Sequence, residues 1–182
     1  MASRVYDVIV IGTGAGGGMA MKTLSEAGLR VLALNSGRRL DPARDFKSHA
    51  RSYELKYRGF MDPVSRKRRY VCEQEATQGF WDHDIQYTVA PGGRWVWARC
   101  SAVGGKANFW GRSSARFAGI DFKAWGLDGA VPEWPVAYDE IAPYYSRVER
   151  LMGVASTIQN RPSNPDGEYL PPIKFRCLDY IF

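Results

Sequence analysis

The sequence predicts an α/β fold that begins with a strand–helix–strand unit, and three observations lead to this prediction. A run of apolar, β-branched residues, Val8 to Ile11, leads directly into the glycine-rich segment Gly12 to Gly17. A helical pattern follows and stops near Gly28, and a second apolar strand spans Val31 to Leu34. A strand, a G-x-G-x-x-G turn and a helix in this order are typical of a βαβ unit that binds the diphosphate of a dinucleotide.

The three glycines of this fingerprint have different expected roles. Gly12 allows the chain to turn out of the first strand at φ values that a Cβ atom would resist. Gly14 allows backbone N–H groups to approach a phosphate, and Gly17 allows the helix to lie close to the strand. The N-terminus of the helix adds unpaired N–H donors and the positive end of its dipole. The face packed on the sheet is predicted to contain the small residues Gly17, Ala20 and Ala27, with Leu24 between them.

Composition is that of an ordinary globular protein. The chain has 182 residues, of which 45% are hydrophobic and 24% charged, so one domain with a substantial core is expected. No apolar run approaches the length of a membrane span. Because the first strand begins within a few residues of Met1, we expect no signal peptide. The odd number of cysteines, Cys72, Cys100 and Cys177, favours reduced thiols and a cytoplasmic setting.

The net charge of +6 arises in part from a basic run at residues 66–69. No nucleic-acid-binding motif accompanies this run, so we interpret it as a solvated loop. A positive balance also attracts an anionic cofactor. The two histidines, His49 and His83, have no partner at metal-ligand spacing, and we interpret His83 as a loop or surface residue.

Further elements are predicted after the first forty residues. Residues 43–60 have a partly helical pattern, and strand-like segments at Ile85 to Ala90 and Arg94 to Ala98 flank the turn Pro91-Gly92-Gly93. A later helix is predicted to begin at Asp139 as its N-cap and to end at Gly153. Its apolar face is predicted to contain Ile141, Tyr145, Val148 and Met152, with Pro143 in about the first turn.

A second segment with features of a binding site is Val103-Gly104-Gly105-Lys106-Ala107-Asn108-Phe109-Trp110-Gly111. Paired glycines permit close approach to a flat or anionic ligand, and Asn108 offers both a donor and an acceptor. Trp110 offers a large flat surface. A plain β-turn with core aromatic residues explains the same spacing equally well, so both interpretations stay open.

Three segments together resemble a known family. YDVIVIGTGAGGG, VGGKANFWGR and WPVAYDEIAPYYSRVERLMGV, followed by NPDGEYLPP, occur in this order and cover most of the chain. In these segments the chain is similar to the N-terminal part of the flavin-dependent glucose–methanol–choline (GMC) oxidoreductases, in particular the bacterial sugar and gluconate dehydrogenase branch. The resemblance implies a Rossmann-like FAD-binding domain interleaved with a substrate domain. Residues 1–182 would be its N-terminal portion, with the βαβ unit at 1–40 and extensions at 41–182.

The resemblance also implies a set of FAD-binding residues. The diphosphate would lie at the first glycine-rich turn, the adenosine ribose at position 35, and the flavin near Gly104, Gly105 and Asn108. The complete set of candidates is Gly12, Thr13, Gly14, Ala15, Gly17, Asn35, Ser36, Gly37, Arg38, Gly104, Gly105, Asn108 and Trp110. The implied partners are an alcohol or sugar substrate and an electron-acceptor subunit, with no nucleic acid and no membrane span.

Asn35 departs from the family pattern, which has an acidic residue at this position. A carboxylate accepts two ribose hydroxyl hydrogen bonds with charge assistance, whereas Asn35 accepts through its carbonyl only. We therefore expect FAD binding to be weaker by ~1–2 kcal/mol. The loss of the acid, with Ser36, Arg38 and Arg39 nearby, is also what a 2′-phosphate favours, so an NADP-binding oxidoreductase is the alternative.

The family members are considerably longer than this chain, and the length bears on catalysis. Their catalytic His, which acts as a base for the substrate hydroxyl, lies near the C-terminus, and no residue here matches it. We therefore expect an N-terminal fragment that binds cofactor without turning over substrate. A truncated subunit that folds only with a complementary chain is a third interpretation, because two parallel strands alone are marginally stable.

Overall fold

The structure is a computed structural model that divides into two compact units, with the boundary between Gly111 and Arg112. The residues that it describes are 5–46, 49–60, 62–64, 77, 79–82, 87–93, 95, 97–123 and 133–174. Four features singled out in the sequence lie outside these residues, namely the basic run at 66–69, Cys72, His83 and Cys177. None of the described helices is long and apolar enough to cross a membrane.

The first unit begins with the strand β1 (Val8–Ile11), the helix α1 (Ala15–Glu26) and the strand β2 (Val31–Leu34). The two strands are parallel, and Val8 pairs with Val31 at the start of the ladder. This arrangement confirms the predicted α/β class and the predicted bounds of both strands. A Cβ atom on Gly17 would lie 2.0 Å from the Gly12 carbonyl oxygen, so the helix approaches the turn as closely as the sequence predicted.

The face that α1 packs inward differs in part from the prediction. Gly17, Met21 and Leu24 are half-buried, whereas Ala20 and Ala27 are exposed. These three residues are spaced i, i+4 and i+7, which places them along one line of a helix with 3.6 residues per turn. Ala20 and Ala27 both lie to the same side of that line and are exposed, so their assignment to the packed face was wrong.

One face of the small sheet is uncovered in the described part of the first unit. Residues alternate along β1 between half-buried and exposed, and the exposed fractions of Ile9 and Ile11 are 58% and 84%. Since β-strand side chains point alternately to opposite faces, Ile9 and Ile11 belong to the face away from Val8 and Val10. Two large apolar side chains on that face thus lack the cover that a buried parallel sheet has in complete α/β folds.

The rest of the first unit contains short turns around a small core. The helix α2 (Pro42–Asp45) and the 3-10 turn Lys56–Gly59 confirm in part the helical pattern predicted for residues 43–60. Among the described residues, the core cluster consists of Phe80, Cys100 and Ala102, which pack against Leu40, Phe46 and Phe109.

The two predicted strands around residues 85–98 are not present in their described portions, 87–90, 95 and 97–98. The predicted turn does form, with the Gly93 N–H donating to the Ala90 carbonyl at 2.8 Å. Side chains connect the two segments, because the rings of Tyr87 and Trp97 lie 6.0 Å apart. An isolated pair of short strands is marginal without further neighbours, which explains why aromatic contacts replace a ladder here.

The second unit contains the helices α3 (Gly119–Phe122) and α4 (Tyr138–Met152). The prediction that Asp139 is the N-cap of α4 was wrong, because Ala137, two residues earlier, is the capping position. The Glu140 carboxylate accepts the Ala137 N–H at 2.8 Å and takes over the capping role. Pro143 lies in the second turn, and Gly153 ends the helix with a φ of 70°, as predicted.

A buried ion pair lies at the centre of the second unit. Arg116 donates from Nε and Nη2 to the two carboxylate oxygens of Glu149, at 2.7 and 2.6 Å. The remaining N–H groups of Arg116 donate to Tyr138 at 3.2 Å and to Ser146 at 3.0 Å, and the Glu168 N–H donates to Glu149. The buried face of α4 therefore differs from the predicted apolar face. The charged Glu149 is 4% exposed, whereas Met152, which was predicted to lie on that face, is 47% exposed.

This ion pair predicts a loss of stability in acid. The hydrogen bonds from Arg116 hold the pKa of Glu149 below its usual value, against an opposing effect of burial. Because the folded pKa is below the unfolded value of about 4.3, the contribution is complete above that pH and is lost as the pH falls through the folded pKa. We expect urea-unfolding free energies to decline between pH 5 and pH 3, and to decline less steeply for Glu149→Gln. An identical decline in the two proteins would contradict the assignment.

Candidate functional site

A cleft of about 670 Å³ lies where β1 and β2 end in the first unit. Its size falls within the range of small-molecule sites in proteins. Its position, at the carboxyl ends of two parallel strands, is where ligands bind in open α/β sheets. The lining residues are Ile11, Gly12, Thr13, Gly14, Leu34, Asn35, Ser36, Arg99, Cys100, Ser101, Ala102, Gly105 and Lys106.

The N-terminus of α1 lies at this cleft, since the preceding residues Gly12, Thr13 and Gly14 line it. Gly14 is the capping residue, and the first backbone hydrogen bond of the helix runs from the Gly18 N–H to the Gly14 carbonyl at 2.7 Å. No side chain caps the helix and its first turn contains no acidic residue. The N–H groups of Ala15 and Gly16 therefore have no acceptor within the helix, and they are suited to bind an anion together with the helix dipole.

The two glycine motifs, which are about ninety residues apart in the sequence, are in contact. The Gly104 N–H donates to the Thr13 hydroxyl at 3.1 Å. A Cβ atom on Gly105 would lie 3.3 Å from the Gly14 Cα, so the second motif packs against the glycine-rich turn after β1. The Val103 N–H also donates to the Arg38 carbonyl at 3.0 Å. These contacts join the loop after β1, the loop after β2 and the second motif into one wall of the cleft.

Asn108 stabilises the second motif from within. Residues Gly105–Asn108 form a 3-10 turn, and the Asn108 amide donates to the carbonyl oxygens of Val103 at 3.0 Å and Gly105 at 2.8 Å. Gly104, with a φ of 91°, precedes this turn. Trp110 follows it, is 41% exposed and does not line the cleft. Its proposed role as a flat wall for the ligand stays a prediction.

Asn35 uses both ends of its amide within the protein. Its Oδ1 atom accepts from the Thr13 hydroxyl at 2.8 Å and from the Thr13 N–H at 3.3 Å. Its Nδ2 atom donates to the Ser101 carbonyl at 2.7 Å and to the Gly37 carbonyl at 3.2 Å. The packing around it is close, because a Cβ atom on Gly37 would lie 2.1 Å from the Ser101 carbonyl oxygen. The side chain predicted to face a ribose thus also connects three segments of the cleft wall.

The cleft has a positive lining. Arg99 and Lys106 both line it, and none of the other described residues that line it is Asp or Glu. Their cationic groups lie 6.0 Å from the ring centres of Trp97 and Trp81, respectively. Such a lining attracts an anionic ligand and lowers the cost of bringing phosphates together.

The two arginines that the sequence analysis considered as phosphate ligands, Arg38 and Arg39, do not line the cleft. Arg38 donates to the Asp45 carboxylate at 2.7 Å and holds the pKa of that carboxyl well below its usual value. Arg39 is exposed, and neither residue lines the cleft. A phosphate bound in the cleft would therefore face Arg99 and Lys106.

Cys100 lines the cleft as a buried thiol. Burial raises its pKa above the usual value, so the thiol stays protonated at neutral pH and is a poor nucleophile. Within the described ranges, no three His, Cys, Asp or Glu side chains are grouped so that they could hold a metal ion. The chemistry that this lining favours is the binding of an anionic ligand.

About half of the candidate residues line the cleft, and the others do not. Those that line the cleft are Gly12, Thr13, Gly14, Asn35, Ser36 and Gly105. Those that do not are Ala15, Gly17, Gly37, Arg38, Gly104, Asn108 and Trp110. Sequence reasoning assigned no role to Arg99, Ser101 or Lys106. The overall positive charge was the one signal that pointed to such cations.

Comparison with known proteins finds several oxidoreductases. The chain is 33% identical to paromamine 6′-oxidase of Streptomyces fradiae over an aligned segment of 157 residues, and this segment covers 83% of the chain. It is 30% identical over 176 residues to 2-methyl-1,2-propanediol dehydrogenase of Mycolicibacterium austroafricanum, covering 92% of this chain. It is 29% identical over 174 residues to the fructose dehydrogenase large subunit of Gluconobacter japonicus, covering 91% of this chain. No protein-family model matches it.

The aligned segment is a small part of each relative. It covers 24% of paromamine 6′-oxidase, 28% of 2-methyl-1,2-propanediol dehydrogenase and 29% of the fructose dehydrogenase large subunit. The chain thus spans about a quarter of the length of the curated relatives that it matches.

Proposed function

We propose that this chain is the N-terminal, FAD-binding part of a GMC-type oxidoreductase that oxidises CH–OH groups of alcohols or sugars. The observation that carries the proposal is the contact between the two glycine motifs, through the Gly104 N–H and the Thr13 hydroxyl, at the N-terminus of α1. The names of the relatives support it, since all three are oxidases or dehydrogenases and two name an alcohol or a sugar.

The residues present fit the diphosphate of FAD. The turn at Gly12 and Gly17 has no room for a Cβ atom on Gly17, which is the packing that a phosphate-binding βαβ turn requires. Ala15 and Gly16 would hold the diphosphate through their N–H groups, while Arg99 and Lys106 would offset its charge. When bound, FAD supplies an acceptor for hydride from the substrate carbon. The protein's own contribution at this cleft is binding and orientation.

The alternative is an NADP-binding oxidoreductase, and one observation favours it. Arg99 and Lys106 are cations in the cleft lining, and within the described part of the chain the lining has no carboxylate that would repel a 2′-phosphate. Arg38, which the fingerprint would use for that phosphate, instead pairs with Asp45. FAD remains our proposal because the Gly104–Gly105 motif, which the GMC resemblance assigns to the flavin end, also contributes to this cleft.

A subunit role is the third candidate. The exposed face of the sheet at Ile9 and Ile11 requires cover that the described part of the first unit does not supply. One relative is itself named as a large subunit. A complementary chain or an electron-acceptor subunit would meet this need, whereas a single, well-folded monomer in solution would count against it.

Titration with two nucleotides separates the first two candidates. We expect the purified 182-residue chain to bind FAD more tightly than NADPH, measured by isothermal titration calorimetry in the same buffer. Since both ligands carry an adenosine diphosphate, the comparison reports the difference between the flavin of FAD and the nicotinamide and 2′-phosphate of NADPH. Tighter binding of NADPH than of FAD would contradict the FAD proposal and favour the NADP-binding alternative.

Turnover is expected to be absent in the chain by itself. Among the described residues that line the cleft there is no imidazole and no carboxylate, and the Cys100 thiol is protonated, so none of them can take the proton of a substrate hydroxyl. We predict no oxidation of polyols or sugars when the chain is supplied with FAD and an artificial acceptor. Sustained reduction of the acceptor that depends on both substrate and chain would contradict this assignment.

A further inference from the structure

Asn35 occupies the position at which the dinucleotide fingerprint expects a ribose-binding acid, but its contacts require an amide. Its Oδ1 atom accepts two hydrogen bonds from Thr13, and its Nδ2 atom donates to the carbonyl oxygens of Ser101 and Gly37. An amide supplies an acceptor and two donors on one planar group, whereas a carboxylate supplies acceptors only. The four contacts therefore match asparagine and do not match aspartate.

The direction of the hydrogen bonds extends this argument to Thr13. The Gly104 N–H donates to the Thr13 hydroxyl, so the hydroxyl proton is available for the Asn35 Oδ1 atom. On the other side, the Ser101 hydroxyl donates to the Asp82 carboxylate at 3.0 Å. A continuous chain of polar contacts thus runs from the second glycine motif through Thr13 and Asn35 to Ser101.

We propose that Asn35 is a positioning residue that holds the glycine turn, the loop after β2 and the 101–105 segment in the arrangement that binds the cofactor. Its carbonyl already accepts from Thr13 and is therefore not the ribose acceptor that the fingerprint predicts. Aspartate at this position would place an anionic oxygen near the Ser101 and Gly37 carbonyl oxygens, which now lie 2.7 and 3.2 Å from the donating nitrogen. Two unpaired carbonyls and a partly buried charge would loosen the wall of the cleft.

The substitution Asn35→Asp distinguishes the two roles by the sign of its effect. If residue 35 bound ribose, restoring the acid would tighten FAD binding and leave the fold intact. As a positioning residue, Asn35→Asp lowers the thermal midpoint by about 3–6 °C, on the scale of one to two lost hydrogen bonds in a chain of this size. It also weakens FAD binding by about tenfold.

A matched substitution controls for the change in charge. Asn164→Asp adds the same negative charge at another half-buried asparagine, in the second unit, and is expected to leave the midpoint and FAD affinity unchanged. Tighter FAD binding by Asn35→Asp than by the parent chain overturns the proposal. A midpoint of Asn35→Asp equal to that of Asn164→Asp also overturns it.

A double-mutant cycle tests the network without reference to FAD. Thr13→Val, Asn35→Ala and their combination are compared by thermal unfolding of the full chain. Because the two side chains act through a shared hydrogen bond, the decrease for the double variant should be smaller than the sum of the single decreases. Additive decreases overturn the positioning role, even where Asn35→Asp fails to fold. The expected change in FAD affinity rests on the proposed function, whereas the double-mutant cycle measures unfolding only. If the chain does not bind FAD, the cycle therefore still tests the positioning role of Asn35.

Discussion

Replacement of Arg116 by methionine is expected to destabilise the second unit by ~3–5 kcal/mol, the scale for breaking one side of a buried ion pair. Arg116 and Glu149 are 7% and 4% exposed, and every polar atom of the pair has a partner. Without the guanidinium, the Glu149 carboxylate stays buried with the Glu168 N–H as its remaining donor. Urea unfolding and hydrogen exchange of the α4 amides would measure the loss.

A neighbouring arginine provides the control for this prediction. Arg150 lies on the same helix and pairs with Glu168, but both side chains are more than half exposed. Arg150→Met should therefore cost no more than about 0.5 kcal/mol. Replacing both partners, as Arg116→Met with Glu149→Leu, should cost less than Arg116→Met alone, because no charge is left unpaired. Equal losses for Arg116→Met and Arg150→Met would contradict the account.

Replacement of Gly17 by alanine is expected to disrupt the cofactor cleft and to weaken FAD binding at least tenfold. The added Cβ would lie 2.0 Å from the Gly12 carbonyl oxygen and 2.9 Å from its carbon, so the turn and the helix must separate. The clash is with backbone atoms, which cannot rotate away as a side chain can, and we expect a cost near ~3 kcal/mol, the upper end for overpacking. Calorimetric titration with FAD and thermal unfolding would measure the two effects.

The adjacent glycine provides the control here. A Cβ atom on Gly16 would meet nothing within 4 Å, and this residue lies in the same turn of α1. Because alanine favours the helix more than glycine does, Gly16→Ala should leave stability unchanged or raise it by up to ~1 kcal/mol. Similar losses for Gly16→Ala and Gly17→Ala would show that close packing of the turn is not what the cleft requires.

Local patterns in the sequence predicted the first forty residues well. The bounds of both strands and the close approach at Gly17 follow from apolar runs and glycine spacing, which act between neighbouring residues. The predicted N-cap of α4 was wrong by two residues, because Glu140 caps the helix from inside it. The expected strands are not present in the described portions of residues 85–98, because strand formation depends on pairing partners elsewhere in the chain.

The candidate site could be predicted in part only. The glycine turn was visible in the sequence, whereas the contribution of Arg99 and Lys106 depends on contacts between distant segments. Arg38 was a candidate because it follows the second strand in the sequence, but it pairs with Asp45 and does not line the cleft. Likewise, the hydrogen bond from the Asn35 amide to the Ser101 carbonyl could not be predicted, because Ser101 is 66 residues away and no local pattern indicates the contact.

The central claim is that the glycine turn and the N-terminus of α1 hold the diphosphate of FAD, and calorimetric titration with FAD, ADP and riboflavin tests it most directly. ADP retains the diphosphate and lacks the flavin, whereas riboflavin retains the flavin ring and lacks any phosphate. We predict that FAD and ADP bind the chain and that Gly17→Ala weakens both, while riboflavin binds weakly or not at all. Binding of riboflavin as tight as that of FAD, with no binding of ADP, would contradict the account.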